Sequence, residues 1–431
     1  MLIEFRVENH RSLRDEQVLT MEAGPGGDAS DTRPRQVAGY SKRLLTTAGL
    51  YGANGSGKSN LLSALAFMRS AVLFSHRAWV PNGGVPRQAF GWGPKRTKPS
   101  LFETVFLVSG VRYQYGFVAT DEKFIEEWLY AWPHGKKQTW FEREDDKRIK
   151  FGDQLHGENR LIEEVTRPNA LFLSTALQHS HNQLQPVLDW FQSLQSVAVR
   201  NRGFFPIWRS WGRGTDRAIA ELLDDNILSE PLPQTFFSEE EQDTFRSNFL
   251  GLLKAADIGI VDLKVITRED DDERGSPKSH RFLFQHQQGV DDAWLPLAEE
   301  SEGTQKLFRI ALPILQVIAS GGILIVDELE SSLHPALAQQ IVRQFNNPSA
   351  NPQNAQIIFT THDTNLLGTI DGAPALRRDQ IWFTEKDSMG ATVLYPLTDY
   401  KPRKPENIER GYLQGRYGAI PFLSDFSIAG D

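Results

Sequence analysis

No cysteine occurs in the 431 residues. Disulfides and thiolate metal sites are thereby excluded, and a cytoplasmic location is the expectation. No apolar run approaches the ~20 residues of a membrane-spanning helix, so no membrane segment is expected. The opening Met1-Leu2-Ile3-Glu4-Phe5-Arg6-Val7 alternates like a strand and has no signal-peptide pattern. Positive charge is not in excess. The net charge of −8 argues against a uniformly basic nucleic-acid coat, though not against a local basic patch. Internal repeats are absent. Between residues 155 and 280 no heptad pattern is sustained, and Pro168, Pro186, Pro206, Pro231 and Pro233 interrupt the stretch. It reads as a compact, mainly helical lobe rather than a coiled coil.

What the chain does contain is a phosphate-binding signature. Residues 52–59 read Gly52-Ala53-Asn54-Gly55-Ser56-Gly57-Lys58-Ser59. Small and apolar residues precede it from Thr46 to Tyr51. Leu61, Leu62, Leu65, Met68 and Val72 follow at helical spacing. A strand, a glycine-rich turn and a helix are the context this motif requires. Backbone N–H groups from Asn54 to Ser59 would curl round the phosphates of a nucleoside triphosphate, aided by the positive end of the helix. Lys58 would reach the β- and γ-phosphates, and Ser59 would hold Mg²⁺.

A second element completes such a site. Gly322-Ile323-Leu324-Ile325-Val326-Asp327-Glu328 is an apolar strand that delivers two carboxylates at its end. Asp327 would join the Mg²⁺ shell, and Glu328 would orient and deprotonate an attacking water. Three more pieces are ordered around it. Ser301-Glu302-Gly303-Thr304-Gln305 opens a helix that runs from Lys306 to Ala319. Glu330-Ser331-Ser332-Leu333-His334-Pro335 follows the acidic pair. Gln356-Ile357-Ile358-Phe359-Thr360-Thr361-His362-Asp363 is a strand ending in histidine.

This set resembles the ABC-type ATPases, in the order signature motif, acidic strand, D-loop and switch histidine. The resemblance implies an α/β fold: an ABC-type ATPase head, with a mixed sheet carrying helices on both faces and an antiparallel β subdomain. It implies ATP and Mg²⁺ as ligands. Ser301 and Gly303 would close over the γ-phosphate held by a second protomer, and His362 would sense that phosphate. Glu302 and Thr304 depart from the transporter pattern, which leaves the role of Gln305 open. The Q-loop glutamine is open among Gln88, Gln114 and Gln178.

Between Ser59 and Ser301 lie 241 residues. An insertion of that size in a chain without membrane segments is similar to the SMC, RecF and OLD group. Val7-Glu8-Asn9-His10-Arg11-Ser12-Leu13 resembles the Asn-Phe-Arg-Ser-Phe opening of bacterial RloA-like ATPases, with His10 in place of Phe. Arg112-Tyr113-Gln114-Tyr115-Gly116-Phe117, Glu126-Glu127-Trp128-Leu129-Tyr130 and Asn169-Ala170-Leu171-Phe172-Leu173-Ser174 resemble them too. So does the closing Tyr412-Leu413-Gln414-Gly415-Arg416-Tyr417-Gly418-Ala419-Ile420-Pro421. That family implies the ATPase subunit of an antiphage or abortive-infection system. Its partner would be a separate effector nuclease of RloB or Toprim type, and the AriA subunit of PARIS systems is a related case. About 70 residues follow His362, too few for a Toprim domain on the same chain. A homodimer or higher homo-oligomer is the implied assembly. The alternative from the same group is a DNA-repair or chromosome ATPase acting directly on DNA.

The expected organisation has four blocks. Residues 1–154 form an ATPase lobe with the phosphate loop and the antiparallel β subdomain, and 155–280 the mainly helical insertion. Residues 281–400 carry the signature, acidic strand, D-loop and histidine, and 401–431 form a tail. Phe102 to Val108 and Arg112 to Val118 read as a hairpin turning at Ser109-Gly110. Asp270-Asp271-Asp272-Glu273-Arg274-Gly275-Ser276-Pro277 reads as a solvated connection. Arg200, Arg202, Arg209, Arg213 and Arg217 interleave with Phe204, Phe205, Trp208 and Trp211. The stretch suits a nucleic acid, a protein partner, or core aromatics with snorkelling arginines.

Overall fold

A computed structural model describes residues 1–24, 30–145, 147–199, 239–256, 259–268, 279–286, 293–370, 373–401 and 406–420. The acidic connection at 270–277 and the arginine–aromatic stretch at 200–217 lie outside these residues. The chain forms two compact units. One comprises Met1–Asn201, Val317–Leu329 and Gln339–Asp431, and the other Arg202–Gln316 and Glu330–Ala338.

The strands in chain order are β1 (Leu2–Glu8), β2 (Gln17–Thr20), β3 (Thr47–Tyr51), β4 (Ser100–Val108), β5 (Val111–Ala119), β6 (Phe124–Trp132), β7 (Gln138–Glu144), β8 (Lys150–Phe151) and β9 (Leu194–Val197). Then come β10 (Asp262–Arg268), β11 (Ser279–Gln285), β12 (Trp294–Pro296), β13 (Ile323–Val326), β14 (Gln356–Thr360), β15 (Thr369–Ile370), β16 (Ala373–Pro374), β17 (Ile381–Lys386) and β18 (Thr392–Pro396). The helices are α1 (Lys58–Phe74), α2 (Asn159–Val165), α3 (Phe172–Gln178), α4 (Gln185–Ser193), α5 (Glu239–Ala256), α6 (Glu302–Ser320), α7 (Pro335–Asn346) and α8 (Ile408–Leu413).

The first unit holds two sheets. One is antiparallel, ordered β2-β1-β4-β5-β6-β7-β8. Its β4–β5 hairpin pairs Val108 with Val111, and Ser109 and Gly110 between them both take positive φ (48° and 77°). That geometry matches the right-handed twist of the strands it joins. Alternation along β4 and β5 sends Phe102, Phe106 and Phe117 to one buried face. There Phe67 of α1 lies 4.8 Å from Phe102, and Trp190 of α4 stacks 4.0 Å from Phe106, ring centre to ring centre.

The other sheet is mixed, ordered β18-β17-β3-β14-β13-β9, with β17, β3, β14, β13 and β9 parallel and β18 antiparallel at the edge. β3, β13 and β14 are buried along their whole length. The continuous apolar run of β13, Ile323-Leu324-Ile325-Val326, follows from coverage on both faces. Gln356 ties the two sheets together. Its amide donates to Leu2 O (3.0 Å) and Leu45 O (2.9 Å) and accepts from Leu2 N (2.5 Å).

His10, at the end of β1, fills a buried aromatic slot. Phe67 stacks on it at 6.0 Å, Phe102 meets it edge-on at 5.6 Å, and Nε2 lies 3.0 Å from Ser63 Oγ. Nδ1 is buried without a partner, so a second ring proton would be an unpaired donor. Burial pushes the imidazole down from 6.5 to about 3, with the Arg11 charge acting in the same direction.

In the second unit β10, β11 and β12 form a three-stranded antiparallel sheet. Phe308 of α6 is fully buried among Phe249 of α5 (5.6 Å) and Phe282 (4.7 Å) and Phe284 (5.7 Å) of β11. Among the described residues no helix is long and apolar enough to cross a membrane.

Candidate nucleotide-binding site

The site is built at the ends of three adjacent parallel strands, β3, β14 and β13. β3 ends at Tyr51, the loop occupies 52–57, and α1 starts at Lys58. Gly57 has φ 112°, and a Cβ there would stand 2.0 Å from Thr392 Oγ1. Gly52 has φ 155°, and its Cβ would fall 2.4 Å from Thr384 O. Only glycine satisfies both the dihedral and the close approach. The wall that enforces this comes from β17 and β18. Thr384 Oγ1 lies 2.7 Å from Ser56 Oγ, and Thr392 Oγ1 donates to Ser56 O at 2.6 Å. Ser12 Oγ lies 2.7 Å from Thr392 Oγ1 and accepts from Asn60 Nδ2 at 2.6 Å. Asn54 and Gly55 at the loop's tip are exposed, whereas Ser56 and Lys58 are buried. The Lys58 ammonium is folded over the loop and donates to Gly52 O (2.7 Å) and Ala53 O (3.2 Å). The loop is thus a shaped, cationic cradle for phosphate.

Opposite the loop, Ser59 Oγ donates to Asp327 Oδ1 at 2.8 Å. Thr360 Oγ1, at the end of β14, donates to the same oxygen at 2.7 Å. Thr360 Oγ1 also accepts from the Glu328 N–H at 2.7 Å. One threonine therefore fixes both acids relative to each other. Glu328 takes a left-handed backbone conformation (φ 53°), and its side chain is exposed beside the half-buried Asp327. His362 stands exposed two residues beyond Thr360, where Thr361 N donates to Leu50 O at 3.1 Å and seats the strand end against β3. Ser59 and Asp327 offer hard oxygen donors, the set that Mg²⁺ takes alongside phosphate oxygens. Among the described residues no cluster of three or more His, Asp or Glu is arranged to hold a metal by itself. A cation here would depend on the phosphates it accompanies.

Ser301 and Gly303 stand in the second unit, at the start of α6. Ser301 Oγ caps the helix, accepting from Thr304 N at 3.1 Å and lying 2.8 Å from Thr304 Oγ1. A Cβ on Gly303 would stand 2.7 Å from Ser332 O in the stretch after the acidic pair. Gln305 turns back, donating to Glu300 O at 2.9 Å.

Thr360, Thr384 and Thr392 were not singled out by sequence reasoning. Only for Thr360 was there a signal, the Thr-Thr-His ending of its strand. Of the three candidate glutamines, Gln114 donates to Glu103 on the antiparallel sheet (2.8 Å), and Gln178 closes α3. Gln88 Oε1 accepts from Arg11 Nε at 2.5 Å, and Arg11 Nη1 reaches Asn60 Oδ1 at 3.5 Å. Gln88 is thus the glutamine tied to the start of α1.

Residues 48–368 match the sequence model of the family described as "AAA domain, putative AbiEii toxin, Type IV TA system". Over 145 residues the chain is 28% identical to the Septu protein PtuA of Bacillus mycoides (strain KBAB4). That stretch covers 32% of this chain and 19% of the PtuA protein. Solved structures similar to the chain include the SMC head domain from Thermotoga maritima, with 13% identity, 92% of this chain and 98% of that chain covered, and a TM-score of 0.41. The Smc head domain with an extended coiled coil bound to the C-terminal domain of ScpA, from Pyrococcus furiosus, has 10% identity, 93% and 97% coverage, and a TM-score of 0.42.

Proposed function

The chain belongs to the family of AAA domains described as putative AbiEii toxin, within the ABC-type P-loop ATPases and with defence-related kin, and from this we propose that it binds and hydrolyses ATP as the switch subunit of an antiphage system. The observation that carries the reading is the Ser59–Asp327 contact at 2.8 Å with Thr360 bridging to Glu328. It joins the start of α1, the Asp327 carboxylate and the Glu328 backbone in one hydrogen-bonded set, which supports that reading.

In this reading the backbone of residues 54–59 and the Lys58 ammonium hold the β- and γ-phosphates. Ser59 and Asp327 would hold Mg²⁺, which would supply charge neutralisation on the phosphate oxygens. Glu328 accepts a proton from water as the water oxygen bonds to the γ-phosphorus. The bond from that phosphorus to the β–γ bridging oxygen breaks, and ADP leaves with the electron pair. His362 donates to a γ-phosphate oxygen and so distinguishes ATP from ADP. Ser301 and Gly303 close on the γ-phosphate of a second protomer, where a capped helix N-terminus complements negative charge. ATP then joins two heads, and hydrolysis separates them. The head-joined state holds a separate effector nuclease of RloB or Toprim type, and separation releases it.

The test is ATP turnover by the purified chain with and without Mg²⁺, beside Asp327→Asn. Mg²⁺-dependent hydrolysis that the variant loses supports the reading. Hydrolysis unaffected by the variant would overturn it. Co-purification with the product of the adjacent reading frame tests the partner.

A further inference from the structure

Trp92 is a large aromatic with no task in the hydrolysis reading. It is 54% exposed, yet its ring is firmly seated. The indole N–H donates to Met389 O at 3.2 Å. Buried Phe90 packs against the ring at 4.3 Å between centres. Gly390 passes so close that a Cβ there would stand 2.9 Å from the indole Cζ2. The segment under the ring is pinned to the end of β1, because Phe90 N donates to Asn9 Oδ1 at 2.9 Å. Asn9 Nδ2 in turn donates to Lys95 O and Lys98 O, both at 2.7 Å. Met389 is exposed beside the ring, and its sulfur accepts from Arg14 Nη1 at 3.3 Å.

Both segments that hold the indole also hold the phosphate loop. The turn Asp387–Gly390 joins β17 to β18, and Thr392 follows two residues later. Thr392 Oγ1 donates to Ser56 O at 2.6 Å, and Thr392 N donates to Ser12 O at 2.7 Å. Four residues before Trp92, Gln88 accepts from Arg11, whose Nη1 reaches Asn60 Oδ1 beside Ser59. Two residues span at most about 7 Å, so the indole stands within a nucleoside's length of the loop.

Sheet order sets the direction. Asp327 and Glu328 follow β13 and His362 follows β14, all on one side of β3. β17 lies on the other side of β3 and runs parallel to it, so its closing turn reaches the same end of the sheet. A triphosphate whose γ end faces Asp327 and Glu328 must send its nucleoside the opposite way, toward Trp92.

We propose that Trp92 is the stacking platform for the base of the bound nucleotide, and that the site takes purine nucleoside triphosphates as a class. The proposal rests on the nucleotide reading above. Every base has a π face that an indole can cover. The indole N–H is spent on Met389 O, so the platform offers ring area and no hydrogen-bond readout. Area favours the two-ring purines over the pyrimidines and does not separate adenine from guanine.

The experiment measures the affinity of the full chain for the Mg²⁺ complexes of ATP, GTP, CTP and inorganic tripolyphosphate, which has phosphates and no base. Wild type should bind ATP and GTP alike, and both more tightly than CTP or tripolyphosphate. Trp92→Ala should weaken ATP and GTP roughly tenfold and leave tripolyphosphate within about twofold. Trp92→Phe keeps a smaller aromatic face and should lose only about two- to threefold, again on the nucleotides alone. Its thermal midpoint shows that the fold is intact. The platform is overturned if either substitution leaves ATP affinity unchanged, or weakens ATP and tripolyphosphate by the same factor. Equal wild-type affinity for CTP and ATP overturns the purine class. A wild-type chain that binds none of the four would instead overturn the nucleotide reading.

Discussion

Ser59 and Asp327 lie 268 positions apart, and their side chains meet at 2.8 Å. The hydroxyl at the start of α1 and the carboxylate at the end of β13 are brought together because β14 inserts between β3 and β13 in the sheet. Thr360 on that middle strand reaches the same Asp327 oxygen and the Glu328 amide. The contact joins the two sequence signatures into one site and sets where substitutions will be felt.

Lys58→Ala should weaken ATP binding roughly 10- to 100-fold, the loss of charge-assisted bonds to phosphate. The ammonium is already presented over the loop by Gly52 O and Ala53 O. Calorimetric titration of the variant checks this, and an unchanged affinity would remove Lys58 from the site.

Glu328→Gln should bind ATP normally and hydrolyse it roughly 10²- to 10⁴-fold more slowly, the usual share of a general base. Its backbone position is held by Thr360 through the amide, so the substitution leaves the fold in place. The slowed variant should accumulate as an ATP-bound dimer, visible by light scattering. Wild-type turnover would show that another group takes the proton.

His10 makes stability sensitive to acid. Its pKa in the fold is depressed to about 3 from 6.5, so the unfolded chain binds the proton first. The contribution is intact above pH 6.5 and is lost progressively as pH falls toward 3. At pH 5 the expected cost is about 2 kcal/mol. His10→Phe, which suits a slot lined by Phe67 and Phe102, should shrink the stability difference between pH 7 and pH 5 by about that amount. Urea midpoints at the two pH values measure it. An identical acid loss in the variant would place the sensitivity elsewhere.

If Ser301 acts across protomers, mixing Lys58→Ala chains with Ser301→Arg chains creates dimers in which one site carries both lesions and the other neither. Each parent should be inactive, and hydrolysis should partly return on mixing. Ser301 caps α6 through Thr304, so arginine removes the cap and blocks phosphate from the helix end. Full activity of the Ser301→Arg parent refutes the arrangement.

The phosphate loop was legible because its chemistry is local. Consecutive backbone N–H groups must face one phosphate, so glycines, lysine and serine fall within eight positions. The Asp327–Glu328 strand was legible because burial on both faces leaves an uninterrupted apolar run. The β4–β5 hairpin was legible from alternation and its Ser109-Gly110 turn. β9 was not. Leu194–Val197 is four residues inside a stretch that reads as mainly helical, and its pairing with β13 makes it a strand. Thr384 and Thr392 are ordinary strand threonines until β17 lies beside β3. Gln88 is one glutamine among several until Arg11 meets it, and Tyr412 is a tail aromatic until its ring packs on Tyr51 and Phe383. Local dihedral and burial demands are written in adjacent residues, and the sequence by itself therefore determined the kind of site. Contacts between positions hundreds of residues apart depend on strand order, and the tertiary structure alone decided which residues brace, bridge and position that site.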